Sequence, residues 1–268
     1  MEAQPGFRPQ PDYARADKPD QAEGKRILEE FRGLGLSGNY YLEVQLRVLP
    51  RRGEERLYTG RLWGGRTETG NVTRISLAID GGEHRLFVQD GSEPVVWQWR
   101  SGPGATVEKL DLTALFVPLA QTDLTLFDLQ RPYLAWTDFA YEGITKVRGR
   151  PAYQFLLYPP REFAAKYPAL TGVRMYLDSQ FKFPVQSEQI GERGKILKSM
   201  TVLDGVKVDE QWLPRAIDLR DETTRNKTRF IVTGAALKQD FVGATFTGEG
   251  LSENLSPPAA DRIKQIAP

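Results

Sequence analysis

The sequence predicts a mainly β fold with a few helices (α+β), built on a strongly curved antiparallel sheet. Period-two alternation of apolar and polar residues recurs along most of the chain. Gly, Asp and Pro punctuate it at short intervals, and only two segments carry helical spacing. The series is densest from 123 to about 251. It brings almost no catalytic equipment, since the chain has no cysteine and His84 is its only histidine. A long strand series without metal ligands or a usable base points to holding a ligand rather than transforming one.

The elements follow in order. Residues 1–16 hold three prolines and few apolar groups, which predicts a flexible arm. A helix is expected over 19–32, with Asp17 or Lys18 before Pro19, a narrow apolar face of Ile27, Leu28 and Phe31, and Gly33 as the stop. In the next segment Leu42, Val44, Leu46 and Val48 alternate with Tyr41, Glu43, Gln45 and Arg47, which is a half-buried strand. A turn at 50–54 leads to a strand over 56–63, and Gly64-Gly65 breaks it. Strands at 73–79 and 85–89 flank the hairpin signal Asp80-Gly81-Gly82, and another runs over 95–100 with Trp97 and Trp99 on one side.

Residues 110–139 are irregular, with a helix expected over 123–129 after Thr122-Asp123 and ended by Arg131-Pro132. Strands are then expected at 141–147, 153–158, 173–178, 185–191, 195–203, 212–220 and 227–237, with an excursion at 160–167. The expected organisation is one domain over 17–251, with 252–268 as a peripheral tail. Two architectures fit: a curved sheet, open or nearly closed, with both helices over its concave side, or two packed sheets.

Composition narrows the function. The 268 residues carry 36 Lys+Arg against 35 Asp+Glu, a formal net charge of +1, so no basic excess marks a nucleic-acid binder. The longest apolar stretch, 110–119, is too short to span a bilayer and contains Asp111 and Pro118. Zero cysteines exclude disulfides, thiolate metal sites and a cysteine nucleophile. The N-terminal residues lack a signal-peptide core, which fits a cytoplasmic protein with a loose arm or a mature secreted form whose leader has been removed. EAQPG directly after Met1 favours the second.

Several segments together carry a resemblance. They are TDLTLFDL (122–129), TDFAYEGITKVRGRPAYQFLLYP (137–159), VRMYLDSQFKFPVQSEQIGERGKILKSM (173–200) and DGVKVDEQWLPRAIDLRDETTRNKTRFIV (204–232). Their order and spacing resemble the LolA-like outer-membrane lipoprotein-sorting family in its broad sense, over about half the chain. The matching pieces include Gly149-Arg150-Pro151, Phe183-Pro184-Val185, Trp212-Leu213-Pro214 and Lys227-Thr228. The family's cysteine after Gly-Arg-Pro is Ala152 here.

The resemblance implies an incomplete β-barrel covered by a helical lid, an apolar cavity, a periplasmic location and binding of lipoprotein acyl chains. The implied partners are a lipid or acylated protein and a membrane-associated protein, with no nucleic acid, no cofactor and a monomeric state. Trp63, Phe87, Trp97 and Trp99 in the first strands, with Phe116, Phe127, Trp136 and Phe139 near the lid, are the candidate cavity lining. The same aromatics equally suit a dry packed core. No catalytic or metal-ligating residue is assigned, because His84 reads as an exposed turn residue and the acidic pairs Glu54-Glu55 and Asp221-Glu222 as solvated turns. The expected function is non-enzymatic binding. The alternative is a protein-interaction or envelope-stress sensory module on the same scaffold.

Overall fold

The computed structural model describes residues 7–13, 18–79, 81–91, 93–241 and 243–267. Asp17, Asp80 and residues 1–6 and 14–16 of the expected arm lie outside them. Among the described residues, fourteen strands form one antiparallel sheet that does not close into a barrel, with three α-helices. In chain order these are α1 (Gln21–Gly33), β1 (Asn39–Leu49), β2 (Arg56–Arg66), β3 (Asn71–Ile79), β4 (Gly82–Gln89), β5 (Val95–Arg100) and β6 (Val107–Leu110). There follow α2 (Leu126–Gln130), β7 (Phe139–Val147), β8 (Arg150–Leu157), α3 (Arg161–Lys166), β9 (Gly172–Asp178) and β10 (Pro184–Ile190). The chain ends with β11 (Ile196–Val208), β12 (Gln211–Asp221), β13 (Lys227–Gln239) and β14 (Lys264–Gln265). The strand order is β6-β5-β4-β3-β2-β1-β13-β12-β11-β10-β9-β8-β7, with β14 on β13.

By internal contacts the chain divides into two compact units. Unit 1 comprises Met1–Gly35, Tyr133–Val202 and Asp218–Arg225, and unit 2 comprises Leu36–Pro132, Leu203–Ile217 and Asn226–Pro268.

In unit 1, α1 starts two residues later than expected because Asp20 is its cap, accepting a hydrogen bond from the Ala22 N–H at 2.9 Å. Gly24, Ile27, Leu28 and Phe31 fall at positions i, i+3, i+4 and i+7 and are all buried. That face lies on β7. A Cβ on Gly24 would stand 2.3 Å from the Tyr141 Cβ, so only glycine lets the helix approach this closely. The Gln21 side chain completes the contact. Its amide NH₂ donates to the Tyr141 carbonyl at 2.9 Å and its oxygen accepts the Tyr141 N–H at 2.8 Å.

The opposite face of unit 1 carries residues 7–13, where the sequence suggested a loose arm. Glu142, fully buried at a bulge of β7, accepts hydrogen bonds from the Asp12 N–H (2.6 Å), from Gln154 Nε2 (2.7 Å) and from Arg174 Nε (2.8 Å). Tyr158 donates its hydroxyl to the Pro9 carbonyl, while Arg8 stacks over the Tyr158 ring and pairs with both oxygens of Asp138. Polar side chains projecting from the sheet thus satisfy the backbone of this segment, a pairing that composition alone does not signal.

In unit 2, β1 pairs with both β13 and β2, and Leu42, Val44, Leu46 and Val48 are buried as their alternation requires. Residues directly opposite in an antiparallel pair project to the same face. One face therefore carries the row Tyr41, Trp63, Arg74, Phe87, Trp97 and Lys109, and beside it Glu43, Arg61, Ser76, Arg85, Trp99 and Val107. The other carries Leu42, Leu62, Ile75, Leu86 and Gln98, and beside it Val44, Gly60, Leu77, His84 and Arg100. Both faces are covered.

Candidate functional site

Segment 112–130 closes over the leucine-rich face of unit 2. Thr228 pairs with Val48 and so shares that face. The Asp123 N–H donates to the Thr228 hydroxyl, and that hydroxyl donates to the Asp123 carboxylate, each at 2.8 Å. Asp123 is thereby taken from the capping role expected for it. Thr125 caps α2 instead, with its N–H and hydroxyl both donating to Asp128. Arg131 then turns left-handed (φ 48°) ahead of Pro132, which ends the helix. Leu115, Leu119, Leu124, Leu126 and Phe127 of the segment are buried, α2 lies against β4, and Gln130 Nε2 donates to the Gln89 carbonyl. The result is a short apolar flap tied to the strands at Thr228 and at Gln89.

The C-terminal residues cover the aromatic face. Trp63 packs with Tyr41 and Ala236 beneath Phe241, Phe246, Leu255 and Ile263. Phe87 packs with Val72 and Leu251 beside Trp97 and Trp99. A Cβ on Gly248 would fall 2.5 Å from the Trp97 ring, so the indole lies directly on that backbone. The tail also adds β14 beside β13 at Gly234 and Ala235.

The eight candidate lining residues fall in two units. Trp63, Phe87, Trp97 and Trp99 share one face of unit 2. Phe127 and Phe116, stacked with centroids 4.7 Å apart, belong to the flap on the other face. Trp136 and Phe139 lie in unit 1, edge-on to Phe163 and Phe155 respectively. The alternation rule assigns phase along each strand, but it does not say which phase faces a flap and which a tail.

His84 corrects its sequence reading. Gly82 already pairs with Ile79, so β4 begins there and carries His84 inside the strand, opposite Leu77 and Arg100. Burial, then the positive charge of Arg100, depress its pKa to about 4 against a hydrogen bond with Gln98, and Nε2 has no hydrogen-bond partner.

Residues that the sequence did not single out are Arg74 and Arg85. They sit in phase with the aromatics of β3 and β4, the one signal that marks them as inward-facing. Arg74 donates to the carbonyls of Gly250, Leu251 and Glu253. Arg85 donates to those of Ser252 (2.7 Å) and Glu253 (3.0 Å), to the Asn254 side-chain oxygen and to Glu83, and it lies over the Trp99 ring. Burial and the like charge of Arg85 lower the Arg74 pKa to about 10. A cleft of about 340 Å³ opens beside them, lined by Arg61, Ser76, Glu83 and residues 254–257.

A family model described as "Uncharacterized protein" matches residues 110–253. Three solved structures are similar across most of the chain. A DUF1329 family protein from Desulfovibrio piger is 14% identical with a TM-score of 0.74, over 88% of this chain and 100% of that one. A putative outer membrane lipoprotein-sorting protein domain from Vibrio parahaemolyticus is 15% identical with a TM-score of 0.73, over 87% and 99%. A LolA superfamily protein from Nitrosomonas europaea is 14% identical with a TM-score of 0.62, over 83% and 96%.

The chain belongs to the broad LolA-like family. The LolA-like fold accounts for the open antiparallel sheet of few helices. No curated protein matches the sequence. Among the described residues no helix is long and apolar enough to cross a membrane.

Proposed function

We propose that this LolA-like chain is a non-enzymatic binding protein of the periplasm. It holds an acyl chain of a lipid or lipoprotein on the leucine-rich face of unit 2, in place of the flap's own side chains. The observation that carries this reading is the flap. Leu115, Leu119, Leu124, Leu126 and Phe127 of the flap are buried, as are Leu42, Val44, Leu62, Ile75, Leu77 and Leu86 of the sheet, and the reciprocal Asp123–Thr228 pair ties the flap to the leucine-rich face. An acyl chain gains about 0.8 kcal/mol per buried methylene, so a long one gains roughly 10 kcal/mol before the cost of displacing the flap and ordering the chain. The likeness to a putative lipoprotein-sorting domain supports the same reading, with an acylated protein as cargo and a membrane-associated protein as donor or receiver.

Native mass spectrometry tests it, after incubation of delipidated protein with phospholipid and with a diacylated lipopeptide. The expected result is one bound acyl ligand per chain. Thr228→Ala, which unlatches the flap, is expected to raise occupancy. A bare mass under both conditions, in wild type and variant alike, overturns acyl binding and leaves a protein-interaction role.

A further inference from the structure

We propose that the cleft between the aromatic face of unit 2 and residues 254–257 binds a phosphate group, free or as a phosphomonoester, through Arg61 and the positive charge of Arg74 and Arg85 behind it. This site lies on the face of the strands opposite the flap and stands independently of acyl binding.

The cleft gathers three guanidiniums and one carboxylate, Glu83. Arg74 and Arg85 are almost fully buried, at 1% and 4% exposure. Taking two cations out of water is costly unless charge and hydrogen bonds compensate. Glu83 pairs with Arg85 at 2.6 Å and also accepts the Ser76 hydroxyl, and Glu253 adds its charge near Arg74, so two anions face the three guanidiniums of Arg61, Arg74 and Arg85. Five backbone or amide oxygens from 250–254 supply the rest as dipoles, not as charge. Arg61 stands in the neighbouring position of the same row, between Glu43 and Ser76, exposed at the mouth of the cleft. A planar fork of donors beside a net positive concavity matches a tetrahedral oxyanion. A volume of about 340 Å³ admits a phosphate with a small substituent. The polar side chains Asn254 and Ser256 line the remaining wall.

The test uses the full chain. Titration with inorganic phosphate, followed by the emission of Trp63 in the cleft wall, is compared with sedimentation on phosphatidylcholine vesicles with and without phosphatidic acid. Arg61→Gln removes an exposed charge and leaves the buried arginines in place, so folding is retained. It is expected to weaken phosphate binding about ten- to a hundredfold, with Arg61→Lys intermediate because it keeps the charge and loses the fork. Saturable phosphate binding weakened by Arg61→Gln supports a free-phosphate site. Binding only to phosphatidic acid vesicles, lost in the same variant, supports a headgroup site. No binding to either, or binding that Arg61→Gln leaves unchanged, overturns the proposal.

Discussion

At the residue scale, His84 shows how a strand boundary decides chemistry. Moving the start of β4 to Gly82 places the imidazole among aliphatic neighbours and next to Arg100, so the native state holds it neutral, with a pKa of about 4. Its ordinary value is about 6.5. A depressed native pKa means that the unfolded chain binds the proton first. The contribution to stability is therefore complete above about pH 6.5 and is lost as the pH falls toward 4. At pH 5 the loss amounts to about 2 kcal/mol relative to pH 7. Urea denaturation at the two pH values, in wild type and in His84→Gln, isolates the term. The variant should lack that share of the pH dependence, and equal slopes would refute the assignment.

At the scale of elements, α1 depends on one missing methyl. Gly24 lets the helix backbone rest against Tyr141, and alanine there meets the Cβ of Tyr141 at 2.3 Å. Overpacking costs about 1–3 kcal/mol, against a gain of up to about 1 kcal/mol in helix propensity. Gly24→Ala is therefore expected to destabilise unit 1 by about 1–2 kcal/mol, read from the denaturation midpoint. Stabilisation would mean that the helix rides clear of β7. The sequence showed most of this helix, since Ile27, Leu28 and Phe31 mark its face, and it showed β1–β5, β12 and β13 to within two or three residues. It did not show α3, which hides in a proline-bounded stretch read as an excursion. Nor did it show β6, whose four residues alternate too briefly to register. The candidate site was less legible for a physical reason. In β1–β4 one phase is aliphatic, while the other mixes Tyr41, Trp63 and Phe87 with Glu43, Arg61, Ser76 and Arg85, so alternation marks that phase as solvent-facing although the tail covers its aromatics. Arg74 and Arg85 were the missed clue, as cations in phase with tryptophans need backbone oxygens brought from far along the chain.

At the scale of the whole molecule, the C-terminal residues are part of the core of unit 2. They cover Trp63, Phe87 and Trp97 and supply the carbonyls that satisfy the buried arginines. Each large side chain so covered is worth about 1.5–3 kcal/mol, and three together rival the net stability of a typical domain, about 5–15 kcal/mol. A chain truncated after Gln239 is expected to bind a hydrophobic dye strongly, with tryptophan emission shifted to the red. Unchanged emission and no dye binding would show that the aromatic face needs no cover.

The amide of Gln21 carries a last consequence. It engages both backbone groups of Tyr141 on β7, the strand that terminates the pairing order. A single side chain there imitates the neighbour that the last strand lacks. Sheets left open in this way are templates on which further copies stack into fibrils. An unhooked glutamine would give such growth its first rung, whereas in the folded chain Tyr141 meets an incoming strand with its N–H and carbonyl already engaged.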